Sequence, residues 1–150
     1  MRRHDREISR EAALDLLKQG EYGILSSIGP ENQPYGVPVS FVLNEGCIDF
    51  HSATEGRKID NIAHNDHVSF CVVGKTEILP DKFSTRYESV IVAGKVIELS
   101  GERKIRSLHA LIAKYSPRHI EAGDKYIESA QATTRVFSIG MESVTGKARR

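Results

Sequence analysis

Three short apolar runs separated by turn sequences constrain the fold of this chain most strongly. The runs are YGILSSI at 22–28, PYGVPVSFVL at 34–43 and CIDFHS at 47–52. Turn-forming residues fill the gaps at 29–32 and 44–46. Connections this short join antiparallel neighbours, because a parallel pair needs a crossover of about a dozen residues or more. The sequence therefore predicts an antiparallel meander.

Three further strands follow in the second half of the chain. HVSFCVVG at 67–74, ESVIVAGKVIEL at 88–99 and TRVFSIGM at 134–141 are rich in β-branched and aromatic residues. Gly94 lies inside the second of these strands and indicates a bend. Residues 75–87 between the first two are polar, and we predict a loop there.

Helices are expected before, between and after these strands. Ser9 is an N-cap candidate for a helix over 9–20, which ends at a glycine. After Ser52 the apolar period changes to 3.6 residues, and a helix is predicted around residues 59–63. A third helix is predicted over 102–115, before Ser-Pro stops it.

The length of 150 residues fits one domain, so residues 1–150 are taken as a single unit. No internal repeat or interdomain linker is evident. Six strands with short connections and flanking helices predict a mainly β fold. We expect a small six-stranded antiparallel barrel decorated with helices.

Pro38 lies inside the second predicted strand, where it cannot donate to a ladder hydrogen bond. Its presence implies an edge strand, a bulge or a place where another group lies against the backbone.

Charge and hydropathy exclude several classes of protein. Lys and Arg number 21 against 20 Asp and Glu, a net charge of +1, which argues against a dedicated nucleic-acid binder. Both ends are locally basic, and we interpret these clusters as solvated tails. No apolar run approaches the roughly 18 residues of a membrane span, and the start of the chain lacks the apolar stretch of a signal peptide. A cytoplasmic protein without a membrane partner is expected.

Several chemical motifs are weak. Cys47 and Cys71 lie in apolar strand-like runs and are expected to be small core residues of a reduced compartment. His51, His64, His67 and Cys71 match no standard zinc spacing, so no metal site is assigned. Gly-Lys-Thr at 74–76 copies the end of a P-loop but lacks the earlier glycine. No GxSxG elbow appears, so covalent hydrolase chemistry has little support.

The stretch FHSATEGRK at 50–58 carries the strongest chemical signal. Ser52 followed three residues later by Glu55 predicts a capping box at the start of the helix. Free backbone N–H groups and the positive end of the helix dipole would face outward there. Gly56 allows a ligand to approach, and Arg57 and Lys58 add two cations. The pattern fits a phosphate site, or equally a capped helix with a solvated basic pair.

These segments together resemble a known family. The segments that carry the resemblance are, in chain order, MRRHDREI, YGILSSI, PYGVPVSFV, FHSATEGRKIDNI, YESVIVAGKV and a closing TGK. The chain is similar over nearly its whole length to the flavin-binding split-barrel superfamily of pyridoxamine 5′-phosphate oxidases. Within it, the chain most resembles the branch of 5-nitroimidazole-resistance reductases.

The resemblance implies a homodimer that binds FMN in a cleft between its two subunits. Four groups of residues match the family's flavin-binding positions. Val37, Pro38, Val39 and Ser40 match the strand along the ring system, and His51 and Ser52 match the end of the next strand. Arg57 and Lys58 match the basic pair that holds the phosphate, and Tyr87, Glu88 and Ser89 match a segment that reaches the flavin of its own or of the partner subunit. Thr145, Gly146 and Lys147 match a C-terminal motif of the branch, of which Lys147 is counted with the cofactor-binding residues.

The implied activity is that of an FMN-dependent oxidoreductase. By similarity, a reduced nicotinamide would load the flavin, and a small nitroaromatic or related acceptor would receive the electrons. Pyridoxamine phosphate is a poor candidate substrate, because the chain contains no tryptophan and lacks the C-terminal segment of those oxidases. His51 is the one candidate catalytic residue, or else a ligand near the ring, a donor that tunes the flavin, or a packed strand residue. The alternative is a non-catalytic flavin or haem carrier or sensor, in which His51, His64 or His67 would ligate haem.

Overall fold

The computed structural model describes residues 3–150. Its strands are β1 Glu7–Ile8, β2 Gly23–Ile28, β3 Pro34–Val39, β4 Phe41–Asn44, β5 Cys47–Ser52, β6 His67–Leu79, β7 Ser84–Leu99 and β8 Arg135–Arg149. Its α-helices are α1 Arg10–Gln19, α2 Arg57–His64, α3 Gly101–Tyr115 and α4 Ile120–Ala130. Short 3-10 turns cover His4–Arg6, Pro80–Lys82 and Gln131–Thr133. No helix among residues 3–150 is long and apolar enough to cross a membrane.

All strands belong to one antiparallel sheet with the order β3-β2-β6-β7-β8-β5-β4, and β1 pairs with β8 outside this path. The two strands at the ends of the path, β3 and β4, are joined in the chain through Ser40 alone. The sheet must therefore curl until its ends meet, which gives the predicted barrel. Eight strands are present instead of six, because Ser40 divides the second predicted strand and β1 adds a short one.

Alternating side chains fill the barrel. Within 68–72 of β6 and 90–96 of β7 the even-numbered residues point inward, and Phe70 and Val92 are fully buried. Phe41 meets Phe70 edge-on at 4.9 Å between ring centroids, and Phe50 stacks on Phe137 at 5.5 Å. These aromatic contacts join both halves of the sheet into one core.

Residues 75–87 form paired strand instead of the predicted loop. Thr76 pairs with Tyr87 and Leu79 with Ser84, so β6 and β7 extend into a hairpin, here called the arm. At its tip Phe83 is 98% exposed and has a φ of 46°. The arm escaped prediction because water lies on both of its faces, which removes the alternation of apolar residues. The last strand, β8, likewise continues past residue 141 to Arg149.

A smaller apolar cluster lies outside the barrel, where α3 and α4 cover β5 and β8. Leu108, Leu111, Ile127 and Val136 are its buried members, together with Leu99. The sequence analysis did not predict α4, whose Gly123 lies in the middle of the helix. A Cβ at Gly123 would come within 2.4 Å of Ile112, so close packing against α3 explains that glycine.

The predicted start of the first helix is confirmed. Ala12 N donates to Ser9 Oγ at 3.1 Å, and α1 buries Ala13 and Leu17 against the barrel. The helix ends before Gly20, whose backbone N–H donates to Leu16 O at 3.0 Å.

The end of α3 is tied to the Ser40 joint by two side chains. Lys114 Nζ donates to Gly20 O at 2.7 Å and to Phe41 O at 2.8 Å. Phe41 N donates to Tyr115 Oη at 2.9 Å, and this hydroxyl donates to Glu21 O at 2.6 Å. Burial lowers the pKa of Lys114. These bonds fix the backbone where β3 becomes β4.

The bend expected at Gly94 is a bulge in the pairing of β7 with β8, where the register shifts between Ala93 and Gly94. A Cβ at Gly94 would lie 1.7 Å from the carbonyl oxygen of Gly140. Only glycine fits there, because both contacting groups are backbone and cannot rotate away.

We expect Gly94→Ala to lower the free energy of unfolding by about 3 kcal/mol or more, since the strands must separate to admit the methyl group. Gly140→Ala is the matched control, because its Cβ would meet nothing nearer than 3.9 Å. Urea denaturation of the two variants measures the difference. Equal stability of both variants would contradict the close approach of β7 to β8.

Candidate functional site

The junction between β5 and α2 differs from the predicted capping box. Ser52 is the last residue of β5 and is buried, and its Oγ has no hydrogen-bond partner among residues 3–150. The helix begins five residues later, at Arg57, with Gly56 as its N-cap residue at a φ of 135°. The capping prediction was wrong because the left-handed conformation of Gly56 starts the helix, with no need of a side-chain cap.

The first turn of α2 is therefore open to a ligand. No side chain among the described residues caps it. Ile59 N and Asp60 N both donate to Gly56 O, at 2.8 and 3.2 Å. A Cβ built on Gly56 would meet nothing within 4 Å. An anion can thus approach the backbone N–H groups and the positive end of the helix dipole.

Arg57 connects this junction to the strand that carries the predicted ring contacts. Its guanidinium lies 4.7 Å from the centroid of the Tyr35 ring on β3, a cation–π contact. Arg57 also borders a cleft of about 370 Å³ beside the β2–β3 turn, with Glu31 and Asp60 on its walls. Among residues 3–150 neither carboxylate forms an ion pair with Arg57.

The four predicted ring contacts divide between the two faces of β3. Val37 and Val39 pack against the barrel core, whereas Pro38 and Ser40 are exposed. Pro38 pairs with Ile24 of β2, and β3 ends the path of the sheet. The expectation of an edge strand at Pro38 is therefore confirmed.

His51 lies on the outer face of β5, opposite in direction to Ser52. It borders a pocket of about 110 Å³ whose other walls are mostly apolar side chains of α3 and α4. Partial burial lowers the pKa of His51, and the positive charge of Lys58 lowers it further. Both effects favour the neutral imidazole, which can either donate or accept a hydrogen bond.

The other predicted site residues lie far from this group within one chain. Ser52 pairs with Arg135 at the start of β8, whereas Ser89 pairs with Lys147 near its end. These positions are twelve residues apart along β8, which corresponds to about 40 Å at about 3.3 Å per residue. Tyr87 and Glu88 lie at the same distant end. The chain alone does not bring the two groups together.

The closing Thr-Gly-Lys motif has a structural role that the sequence did not show. Thr145 pairs with Ile91, and Gly146 is buried beside Ile8 of β1. A Cβ on Gly146 would come within 2.6 Å of Ile8. The glycine therefore allows the start of the chain to close over β8.

The histidines do not form a metal site. No group of three or more metal-ligating side chains occurs among residues 3–150. His67 Nδ1 lies 2.9 Å from Asp66 Oδ1, and His64 is exposed at the end of α2. The cysteines are both free and half-buried. Gly74, Lys75 and Thr76 belong to β6.

Sequence reasoning missed the side chains that fix α2 in place. Asn61 is buried and donates from Nδ2 to Ser27 Oγ on β2 at 3.1 Å. Its position between Ile59 and Ile62, on the apolar stripe of α2, was the available signal, because a polar residue on a buried face must be hydrogen-bonded.

Comparison with known proteins identifies the family. The sequence profile described as pyridoxamine 5′-phosphate oxidase matches residues 9–148. The chain belongs to the pyridoxamine 5′-phosphate oxidase family. The resemblance found in the sequence is thereby confirmed, as is the antiparallel split-barrel fold of this family.

Three known proteins are similar to this chain, one in sequence and two in fold. A 5a,11a-dehydrotetracycline/5a,11a-dehydrooxytetracycline reductase of Streptomyces rimosus is 40% identical over 63 residues, which cover 39% of this chain and 44% of the reductase. A candidate 5-nitroimidazole antibiotic resistance protein from Bacteroides thetaiotaomicron superposes with a TM-score of 0.78 at 21% identity, covering 95% of this chain and 86% of that one. An FAD and haem binding protein from Mycobacterium smegmatis gives a TM-score of 0.84 at 18% identity, covering 97% and 74%.

We expect Lys58→Gln to raise the pKa of His51, because it removes the positive charge that disfavours the imidazolium ion. Titration of the His51 ring resonances by NMR measures this change. Lys125→Gln removes a cation from the exposed face of α4 and is the matched control. An unchanged pKa of His51 in Lys58→Gln would contradict the placement of these two side chains.

Proposed function

We propose that this member of the pyridoxamine 5′-phosphate oxidase family is an FMN-dependent oxidoreductase that works as a homodimer. Its acceptor is a small nitroaromatic or related molecule, and its electron donor is a reduced nicotinamide. The observation that carries the proposal is the uncapped first turn of α2 at Gly56, flanked by Arg57 and Lys58.

The residues at this junction fit the phosphate of FMN. The open backbone N–H groups of α2 are strong donors to an anion, and the guanidinium and ammonium groups neutralise its charge. The buried Oγ of Ser52 has no partner among residues 3–150, which leaves one hydroxyl at the end of β5 free to donate. A single phosphate-sized cluster favours FMN over FAD.

The edge strand β3 fits the ring system. An edge strand leaves one row of backbone N–H and C=O groups unpaired, and these groups can bind the polar rim of a flavin. At Pro38 the strand has no donor, so the row at that point offers carbonyl oxygens and apolar surface. Arg57 lies over Tyr35 of the same strand and holds the phosphate side close to it.

The flavin supplies the redox chemistry, since it takes two electrons from a donor and passes them to an acceptor. The protein supplies binding and orientation. His51 beside the apolar pocket orients a bound acceptor by donating a hydrogen bond to it. The reductase similarity to the Streptomyces rimosus protein supports an electron-transfer role but covers 44% of that protein.

An uncovered apolar face supports a homodimer. On the outer side of the sheet, Pro38, Ile24, Cys71 and Ile91 form one row across β3, β2, β6 and β7. Val73 and Ile91 are 59% and 49% exposed. Contiguous apolar surface of this kind marks an interaction site. A second copy on this face also supplies the Tyr87, Glu88, Ser89 and Lys147 group, which within one chain lies toward the other end of β8 from Ser52.

We expect the double variant Arg57→Gln with Lys58→Gln to lose most of its flavin during purification, because two charge-assisted contacts of about 1.5–3 kcal/mol each disappear. The flavin absorbance per polypeptide, and the mass of the molecule released on denaturation, measure this loss. Lys82→Gln with Lys125→Gln, which removes two exposed cations elsewhere, is the control and should keep its flavin.

Three outcomes separate the hypotheses. Flavin bands bleached by NADH or NADPH support the enzyme, and bands bleached by dithionite alone favour a carrier. A Soret band favours haem, as in the Mycobacterium smegmatis relative, although the pocket beside His51 is far smaller than the roughly 300–1,000 Å³ of ordinary ligand sites. Full flavin content in the Arg57 and Lys58 double variant would refute the phosphate site.

We expect Ile91→Asp to yield monomers with weak flavin retention, since a carboxylate on the apolar face opposes burial against a second copy. Light scattering after size exclusion gives the molar mass. Ile97→Asp is the matched control, because Ile97 is 50% exposed on the same strand and lies six residues from Ile91. A dimer in both variants would place the interface elsewhere.

A further inference from the structure

A second cleft lies at the base of the arm, near the opposite end of β8 from the strand end that precedes the α2 junction. Its volume is about 410 Å³, and it opens where β6, β7 and the end of β8 meet. The charged side chains on its walls are Lys75, Arg86, Arg149 and Arg150, with Glu77 and Glu88. It is separate from the cleft that Arg57 borders.

The charge of this cleft is positive. Arg86 Nη1 donates to Glu77 Oε2 at 2.8 Å, so these two charges neutralise each other. The side chains of Lys75, Arg149 and Arg150 form no ion pair with any of residues 3–150, and Glu88 is the one unpaired side-chain carboxylate on the cleft walls. Such a cleft attracts anions with more than one negative charge.

A β-bulge fixes Lys75 at the edge of the cleft. Val73 pairs with Ser89 and Thr76 with Tyr87, so Gly74 and Lys75 together face Glu88 alone. Bulges of this kind redirect a side chain out of the regular pleat. Gly74 cannot be larger, because a Cβ there would come within 2.6 Å of Leu16 on α1. The packing of α1 therefore holds the bulge in place.

Tyr87 forms an aromatic wall of the cleft, and the pKa of its phenol reflects the positive charges around it. Arg6 Nη1 donates to Tyr87 Oη at 3.4 Å. This hydrogen bond lowers the pKa of the Tyr87 phenol, and the positive charges of Arg6, Lys147 and Arg3 act in the same direction. A planar ring among cations is suited to a ligand that carries both a base and phosphates.

We propose that this cleft binds the phosphates of a nicotinamide dinucleotide and that the donor is the form with the additional 2′-phosphate. This inference rests on the proposed function. A dinucleotide fits better than a nucleic acid, because the cleft has the size of a small-molecule site, roughly 300–1,000 Å³, and the whole chain carries a net charge of only +1. In the homodimer, the cleft lies beside Glu88 and Ser89, which face the flavin of the partner subunit in the proposed arrangement.

Isothermal titration of the purified, flavin-loaded protein with NADP⁺ and NAD⁺ tests the proposal. We expect NADP⁺ to bind at least about tenfold more tightly, and Lys75→Gln with Arg149→Gln to weaken NADP⁺ by about tenfold while NAD⁺ changes less. Millimolar inorganic phosphate should compete with NADP⁺. Lys82→Gln with Lys125→Gln, the same change in charge at other exposed positions, should leave both dissociation constants unchanged.

Equal affinity for the two dinucleotides, no binding of NADP⁺, or an unchanged NADP⁺ affinity in the Lys75 and Arg149 variant would each overturn the proposal. The flavin content of every variant is measured in the same samples. If the protein retains flavin but does not bind NADP⁺, the inference about this cleft is wrong and the proposed function still stands. If the protein binds no flavin but still prefers NADP⁺, and this preference depends on Lys75 and Arg149, the assignment of the cleft is supported and the proposed function is wrong.

Discussion

The single-residue joint at Ser40 is the constraint on which the rest of the structure depends. It links the two strands at the ends of the sheet, so no open arrangement of β3 and β4 is possible. The joint would leave the peptide groups of Phe41 dependent on water, but Tyr115 and Lys114 bind both of them. The Lys114 ammonium also lies 3.9 Å from the centroid of the Phe41 ring. The end of α3 therefore holds the corner of the barrel.

Closure of the barrel also positions the candidate phosphate site. Because Ser40 joins β3 to β4, and β4 pairs with β5, the strand bearing Tyr35 comes within reach of the helix that follows β5. Arg57 then contacts Tyr35, and Asn61 ties the same helix to Ser27 of β2. The cations of α2 and the backbone of β3 are thus held at a fixed separation by packing and hydrogen bonds, which is the preorganisation that a rigid cofactor requires.

The sequence predicted those strands and helices that bury one face against the core and expose the other face to solvent. The two antiparallel pairings of the predicted meander, β2 with β3 and β4 with β5, follow from local patterns, as do the Ser9 cap and the edge position of Pro38, whereas the break at Ser40 does not. The arm did not, because neither of its faces is buried against the core. The helix α4 was missed because Gly123 weakens its local helical signal, and only contact with Ile112 explains that glycine. The Ser52 cap failed because the left-handed Gly56 starts α2 without it.

For the candidate site, the local sequence pattern located the basic pair Arg57 and Lys58, but it could not show how far the other matched residues lie from that pair. Motifs that suggest one site in the sequence lie at opposite ends of β8, near Arg135 and Lys147. In a symmetric pair packed through the Cys71 and Ile91 face, a two-fold axis along the strands brings like ends together. An axis across the strands instead places the Ser89 end of one chain near the Ser52 end of the other. Only this second arrangement makes one composite site from both groups, so the direction of the axis decides whether the family's matched residues can act together.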